Sequence, residues 1–247
     1  MPLPRFHVDL PLSAGARVAL PDSIAHHALR VLRLQAGAGL VVFDGRGGQY
    51  PAVLEIAGKQ GYAVLGPHDP REAELPGRIV LAQAIPSGDK MDWVVEKAVE
   101  VGAAAVQPLA AARSVLRLSG ERLEKRLQHW RRVAVAACEQ CGRNRIPEVA
   151  APLTLQQWLD RPAADGAVRL LCDPDAETRL TDWAAALPAA PAALELLVGP
   201  EGGWSDAEYA LARRYGVRMV RFGDRILRTE TAGTALISAL SAKLGWV

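Results

Sequence analysis

Aromatic residues are scarce in this 247-residue chain, at 5%, and cysteine is scarcer still, at three. Three cysteines, Cys138, Cys141 and Cys172, exclude a disulfide framework. A Cys138-x-x-Cys141 pair can signal zinc or redox chemistry, but it has neither a second pair nor a histidine cluster at ligand spacing, so a four-ligand zinc site is disfavoured and no metal is expected. Lying late in a helical pattern, the pair reads as packing. No apolar run approaches the ~18 uninterrupted positions of a membrane span, and the first ten residues lack the basic-then-apolar layout of a secretion signal. The expectation is a soluble, cytoplasmic protein. The net charge is only +2, too small by itself to require a polyanionic partner.

Where charge sits is more informative than its sum. Arg113, Arg117, Arg122, Lys125, Arg126, Arg131, Arg132, Arg143 and Arg145 crowd the middle of the chain, and arginine outnumbers lysine throughout. The planar guanidinium fork suits phosphate and base edges, so this cluster is a candidate nucleic-acid surface.

Two periodicities divide the chain. Up to about Pro67 the pattern is short and strand-like: Phe6, Val8 and Leu10 alternate, Leu40–Phe43 precedes the turn Asp44-Gly45-Arg46-Gly47-Gly48, and 50–56 and 62–65 follow. One short helix from Asp22 or Ser23 interrupts them. Several short strands are closed most simply as a small barrel. The adjacent His26 and His27 point to different faces, which argues against joint metal ligation. A proline-rich stretch follows, and we expect a first domain at 1–70, a linker at 71–77 and a second domain at 78–247.

Beyond the linker, strands at 78–84, 104–109 and 168–172 alternate with helices at 89–101, 121–141 and 182–187, the pattern of a mainly parallel sheet covered by helices. In the long helix Leu123, Leu127, Trp130, Ala134, Ala137 or Cys138, and Cys141 form the inward stripe. Two strand-to-helix turns close the chain. In the first, Gly199-Pro200-Glu201-Gly202-Gly203-Trp204, the following Ser205 and Glu208 fit a capping box. The second, 223–233, holds Arg228 and Glu230, and Thr229 or Thr231 is the expected cap of the last helix. Ligands of open α/β sheets bind where such loops converge. Neither turn is Gly-x-Gly-x-x-Gly and no Lys-Ser or Lys-Thr follows, so nicotinamide and P-loop chemistry are disfavoured.

Gly199-Pro200-Glu201-Gly202-Gly203 paired with Leu227-Arg228-Thr229-Glu230-Thr231-Ala232 resembles the signature of the bacterial 16S ribosomal RNA uridine-N3 methyltransferases, of the SPOUT class. The resemblance extends in order through Pro4-Arg5-Phe6, His26-His27, Val31-Leu32-Arg33, Asp44-Gly45-Arg46-Gly47, Lys90-Met91-Asp92, Glu96-Lys97, Arg113-Ser114-Val115, Glu139-Gln140 and Gly142-Arg143. It implies a small N-terminal PUA-like β-barrel and a C-terminal α/β domain threaded into a deep trefoil knot. It also implies S-adenosylmethionine as methyl donor, a homodimer, and 16S ribosomal RNA in the small subunit as substrate. By the same resemblance, cofactor contacts fall on Leu171, Leu197, Val198, Gly199, Gly202, Gly203, Gly223, Ile226, Leu227, Thr229, Thr231 and Ala232.

Methylation of a uridine imide nitrogen requires that its N–H lose the proton. Arg228 is the candidate to stabilise charge on the uracil oxygens, and Glu230 or Glu201 to accept the proton or orient a water. The bland alternative has Glu201 bracing the fold and Arg228 binding phosphate. Candidate phosphate contacts are Arg5, Arg30, Arg33, Arg46, Arg113, Arg143 and Arg145. A non-catalytic RNA-binding module of the same fold is the competing reading, and intact Glu201, Arg228 and Glu230 argue against it.

Overall fold

The computed structural model describes residues 3–58, 60–115, 119–163 and 166–247. Arg117, counted above in the basic cluster, lies outside them. The chain forms two compact units, residues 1–74 with 135–146, and 75–134 with 147–247.

The first unit is a five-stranded sheet of β1 (Arg5–His7), β2 (Arg17–Ala19), β3 (Gly39–Phe43), β4 (Tyr50–Ala57) and β5 (Gln60–Leu65), in the order β1-β3-β4-β5-β2. All neighbours pair antiparallel except β1 with β3. Alternation decides which face is buried: Ala52 and Leu54 of β4, and Ala63 and Leu65 of β5, turn inward to meet Phe6, Leu20, Leu40 and Val42. Helix α1 (Asp22–His26) adds Ala25 to this core and continues into a wide helical turn over His27–Val31. Arg33, just after it, holds a left-handed backbone with φ of 55°.

The first unit also claims residues 135–146, which the expected boundary at 71–77 had given to the second domain. An internal network explains their allegiance. Arg5 donates to Asn144 Oδ1 at 2.7 Å and to the Arg143 carbonyl at 3.1 Å, and the Asn144 amide donates to the Arg71 carbonyl at 2.7 Å. Arg143 is buried and grips Glu74 with two guanidinium nitrogens. Removing one partner of a buried pair leaves the other uncompensated, so Arg143→Met is expected to lower unfolding free energy by about 3 kcal/mol, read from the urea midpoint at unchanged slope.

The second unit is an all-parallel sheet. Its strands are β6 (Arg78–Ala84), β7 (Ala105–Ala110), β8 (Glu148–Val149), β9 (Leu153–Thr154), β10 (Ala167–Cys172), β11 (Ala193–Val198) and β12 (Arg218–Val220). They run β12-β10-β11-β6-β7-β8, with β9 also on β7. Central strands covered on both faces are mostly apolar; β11 is buried at every position, and its one charged residue, Glu195, is paired with Arg169 at 2.6 Å. Between the strands run α2 (Lys90–Glu100), α3 (Gly120–Cys141), α4 (Leu155–Leu159), α5 (Leu180–Ala185), α6 (Asp206–Arg214) and α7 (Thr229–Lys243). Along α3 the predicted stripe is buried at Leu127, Trp130, Ala134 and Cys138. Burial also pushes the Cys138 thiol up to about 12, so it is a neutral packing group. The strands β8 and β9, two residues each, were missed because they are too short to show a period.

Helix α7 lies against α2 and α5. It approaches the sheet closely because Gly233 has no side chain: a β-carbon there falls 2.8 Å from Leu81 Cδ2 on β6. Gly233→Ala is expected to lose a net ~1 kcal/mol, overpacking outweighing the gain in helix propensity. The thermal midpoint checks this; an unchanged one means that Leu81 has room to turn away. Among the described residues no helix is long and apolar enough to cross a membrane, and no cluster of three or more histidine, cysteine or acidic side chains is placed to hold a metal.

Candidate active site

The two turns meet. Residues from the turn after β11 and from the segment before α7 line one cleft of about 420 Å³: Val198, Gly199, Pro200, Glu201, Gly203 and Trp204 on one side, Ile226, Leu227, Arg228, Thr229 and Ala232 on the other. Cys172, Pro174 and Tyr209 complete it.

Local chemistry shapes each turn. Gly203 takes φ of +69° and donates to the Pro200 carbonyl at 2.9 Å, a conformation that glycine adopts without steric cost. The capping box forms as expected, with Ser205 and Glu208 each bonding the other's main-chain N–H. The second turn is anchored by Asp224, which accepts from Arg221 at 2.5 Å and from Arg179 at 3.2 Å. Neither threonine caps α7: Arg228 occupies the capping position with no side-chain bond. Thr229 instead sits inside the first turn of the helix, buried, where its hydroxyl donates to the Gly199 carbonyl at 2.5 Å and accepts from Gln83 at 2.9 Å. A tertiary partner has replaced the local cap, and one residue ties the two turns together.

Charge at the rim is organised by the start of α2 and the residues just before it. Glu201 accepts from the Ser87 hydroxyl at 2.6 Å, the Ser87 N–H at 3.0 Å and the Lys90 ammonium at 2.9 Å. Partial burial acts to raise its pKa, and these hydrogen bonds outweigh it, bringing the group down to about 2. Glu201 is therefore a fixed anion and a weak base. Glu230 differs: its Oε2 is buried, has no hydrogen-bond partner and lies 3.7 Å from Lys90 Nζ. Arg228 is exposed at the cleft edge.

On the opposite wall the groups are neutral. Burial, reinforced by Asp173, pushes Tyr209 up to about 12 and Cys172 up to about 11. The Tyr209 hydroxyl donates to Asp173 at 3.2 Å. Trp204 is buried in the wall, and its indole N–H has no partner.

Of the predicted cofactor positions, Val198, Gly199, Gly203, Ile226, Leu227, Thr229 and Ala232 line the cleft; Leu171, Leu197, Gly202, Gly223 and Thr231 do not. Leu171 and Leu197 are buried within β10 and β11. Sequence reasoning missed Cys172, Pro174 and Tyr209 as cleft residues, because only the juxtaposition of strand ends with α6 brings them to the turns. Adjacency in sequence was the available signal for Pro200 and Trp204.

The arginines separate into two groups. Arg30, Arg33, Arg46, Arg113 and Arg145 are exposed. Arg145 pairs with Glu72 at 3.3 Å, and Arg113 donates to the Gly202 carbonyl at 3.1 Å. Arg5 and Arg143 are instead engaged in the internal network of the first unit, Arg143 buried and Arg5 half-buried, and their guanidinium hydrogen bonds go to protein groups there. Composition lists an arginine without saying which carbonyls lie in its reach.

The family model for the RNA methyltransferase domain matches residues 73–241, which includes every residue lining the cleft and also Glu230, which does not line it, and that for the RNA methyltransferase PUA domain matches residues 20–64. The chain belongs to the RNA methyltransferase family. Its relatives include the ribosomal RNA small subunit methyltransferase E of Synechocystis, 37% identical over 93% of this chain and 74% of that one, and that of Mycobacterium bovis, 34% identical over 95% and 90%. A crystal structure of the same enzyme from Neisseria gonorrhoeae, bound to S-adenosyl methionine, superposes with a TM-score of 0.89 at 36% identity, covering 97% of each chain. For this RNA methyltransferase the architecture is thus a mixed α/β methyltransferase fold with an N-terminal PUA-like domain.

Proposed function

We propose that the protein transfers a methyl group from S-adenosylmethionine to N3 of a uridine in the 16S ribosomal RNA of the small subunit. The observation that carries this reading is the convergence of the two signature turns on one cleft, with an arginine at its edge and, on the adjoining helix turn, a carboxylate oxygen that accepts no hydrogen bond. The residues present fit the methyl donor. The cleft has the size of an ordinary small-ligand site, ~300–1,000 Å³, its far wall is neutral and partly aromatic, and the Trp204 N–H is a buried donor awaiting an acceptor. Val198, Gly199, Gly203, Ile226, Leu227, Thr229 and Ala232 would hold the donor, with Leu171 and Leu197 behind them and Gly202, Gly223 and Thr231 in the same turns.

When bound, S-adenosylmethionine supplies a methyl group on a sulfonium, whose carbon–sulfur bond breaks with its electrons kept by sulfur. The protein's part is to free the lone pair of N3. Arg228 binds the uracil oxygens on which negative charge grows, and Glu230 accepts the proton. Glu201, saturated by donors, braces the turn. Arg30, Arg33, Arg46, Arg113 and Arg145 contact phosphates, which makes binding steeply salt-dependent, and the target base is turned out of its stack to reach the cleft.

The finer architecture belongs to the same proposal: a SPOUT-class domain with a deep trefoil knot, acting as a homodimer in the cytoplasm, where ribosomal subunits are modified. The resemblance of both turns supports it, as does the all-parallel order in which β11 lies between β6 and β10. The domain limits of 1–70, 71–77 and 78–247 are kept with residues 135–146 reassigned. The test is transfer of tritium from methyl-labelled S-adenosylmethionine to small subunits lacking their native modification, followed by nucleoside analysis. Label in 3-methyluridine supports the reading; label in another nucleoside, or none, overturns it.

A further inference from the structure

The first unit holds a pocket that the chemistry of methyl transfer leaves unused. It measures about 410 Å³ and lies between α1, with its wide helical turn, and the end of β4. Ala25, Leu29, Leu34 and Ile56 give it apolar walls, among which stand Asp22, His26, Arg30 and Gln35. The irregular backbone after α1 brings the later members there. The Leu32 N–H reaches back to the His27 carbonyl at 2.9 Å, Arg33 takes the left-handed region, and the Leu34 N–H closes on the Ala28 carbonyl at 2.9 Å. Gln35 adds a bond from its side-chain amide to the Arg33 carbonyl at 3.3 Å. A non-glycine residue held in that region is strained, and such strain is found where a ligand is clamped.

Among the described residues, the side chains of Asp22, His26 and Arg30 form no ion pair and no hydrogen bond. Every residue lining the pocket falls within 20–64, the span matched by the RNA methyltransferase PUA domain. Apolar walls for the faces of a flat ring, a histidine to stack on it and polar groups to meet its edge are the means by which proteins hold unstacked bases of single-stranded RNA. A phosphate explains Arg30 but not Asp22, because a carboxylate repels the RNA backbone. Such a group accepts from the exocyclic amino group of cytosine; uracil presents a carbonyl oxygen at the same place, which it repels. We propose that this pocket receives an unpaired, amino-bearing base of the RNA substrate, with Asp22 accepting from the amino group and Arg30 holding the adjoining phosphate. The inference deepens the RNA-binding part of the reading above and concerns a base other than the methylated uridine.

The probes are fluorescein-labelled oligocytidylate and oligouridylate of equal length, whose binding to the full chain is followed by anisotropy over a range of salt. Asp22→Asn offers a donor as well as an acceptor, and it is expected to lower the ratio of oligocytidylate to oligouridylate affinity about fivefold. The methyl-transfer cleft is unaltered in this variant, so its share of the binding cancels in the ratio. Arg30→Ala is expected to weaken both probes alike and to reduce the slope of log affinity against log salt by about 0.7, the loss of one phosphate contact on a single strand. Asp22 and Arg30 are exposed, so both variants should keep the wild-type melting midpoint. An Asp22→Asn ratio equal to that of the wild type overturns the base contact, and an unchanged salt slope in Arg30→Ala overturns the phosphate contact. A wild type that binds neither probe overturns both. Methyl transfer to small subunits is scored separately: label in 3-methyluridine with an unmoved ratio sinks the pocket alone, whereas an Asp22-dependent ratio without any transfer sinks the methyl-transfer reading alone.

Discussion

Arg228→Ala is expected to lower kcat for methyl transfer by about a hundred- to a thousand-fold, the loss typical of one donor aimed at charge that develops in a transition state. Its stability should hold within ~0.5 kcal/mol, because Arg228 is exposed and its side chain makes no capping bond to α7. Cofactor affinity should change less than threefold, since the contacts expected there are main-chain and apolar. Initial rates over a range of subunit concentrations separate the alternatives. A rise in KM for RNA with kcat intact would mean that Arg228 grips phosphate and the uracil oxygens are stabilised elsewhere.

Glu230→Gln should cost more, about a hundred- to ten-thousand-fold in kcat, the range of a general base. The swap keeps shape and removes the anion that would take the proton. Loss of a negative charge from the first turn of α7 contributes a further ~0.3–1 kcal/mol of destabilisation through the helix dipole, to be measured by denaturation. Retention of activity within threefold of wild type would remove Glu230 from the mechanism. The contrast with Glu201 then becomes the useful control, since a carboxylate already held at about 2 by three donors has little basicity to lose.

Much of the fold was legible because it depends on short-range pattern. The apolar residues Leu194, Leu196, Leu197 and Val198 fit a strand inside a covered sheet, and β11 is that strand. Ser205 and Glu208 announced a helix start three residues apart, and their reciprocal bonds form. Where a neighbour in space competed with a neighbour in sequence, the local reading failed. Thr229 had the chemistry of a cap and was taken by Gly199 and Gln83, thirty and 146 residues away.

The same contrast runs through the charged groups. By itself the sequence determined the fold class, the two turns that make the site, the residue types able to activate an imide nitrogen, and the family. Those are properties of periodicity, glycine placement and motif, all encoded within a few dozen residues. Only the tertiary structure decided which groups are free to act. It buried Arg143 against Glu74 and bonded Arg5 to Asn144. It also filled Glu201 with donors from Ser87 and Lys90 while leaving Glu230 Oε2 without one. Basicity and availability follow from desolvation and from the count of hydrogen bonds at an atom, and both are set by elements that meet only when the sheet has closed around them.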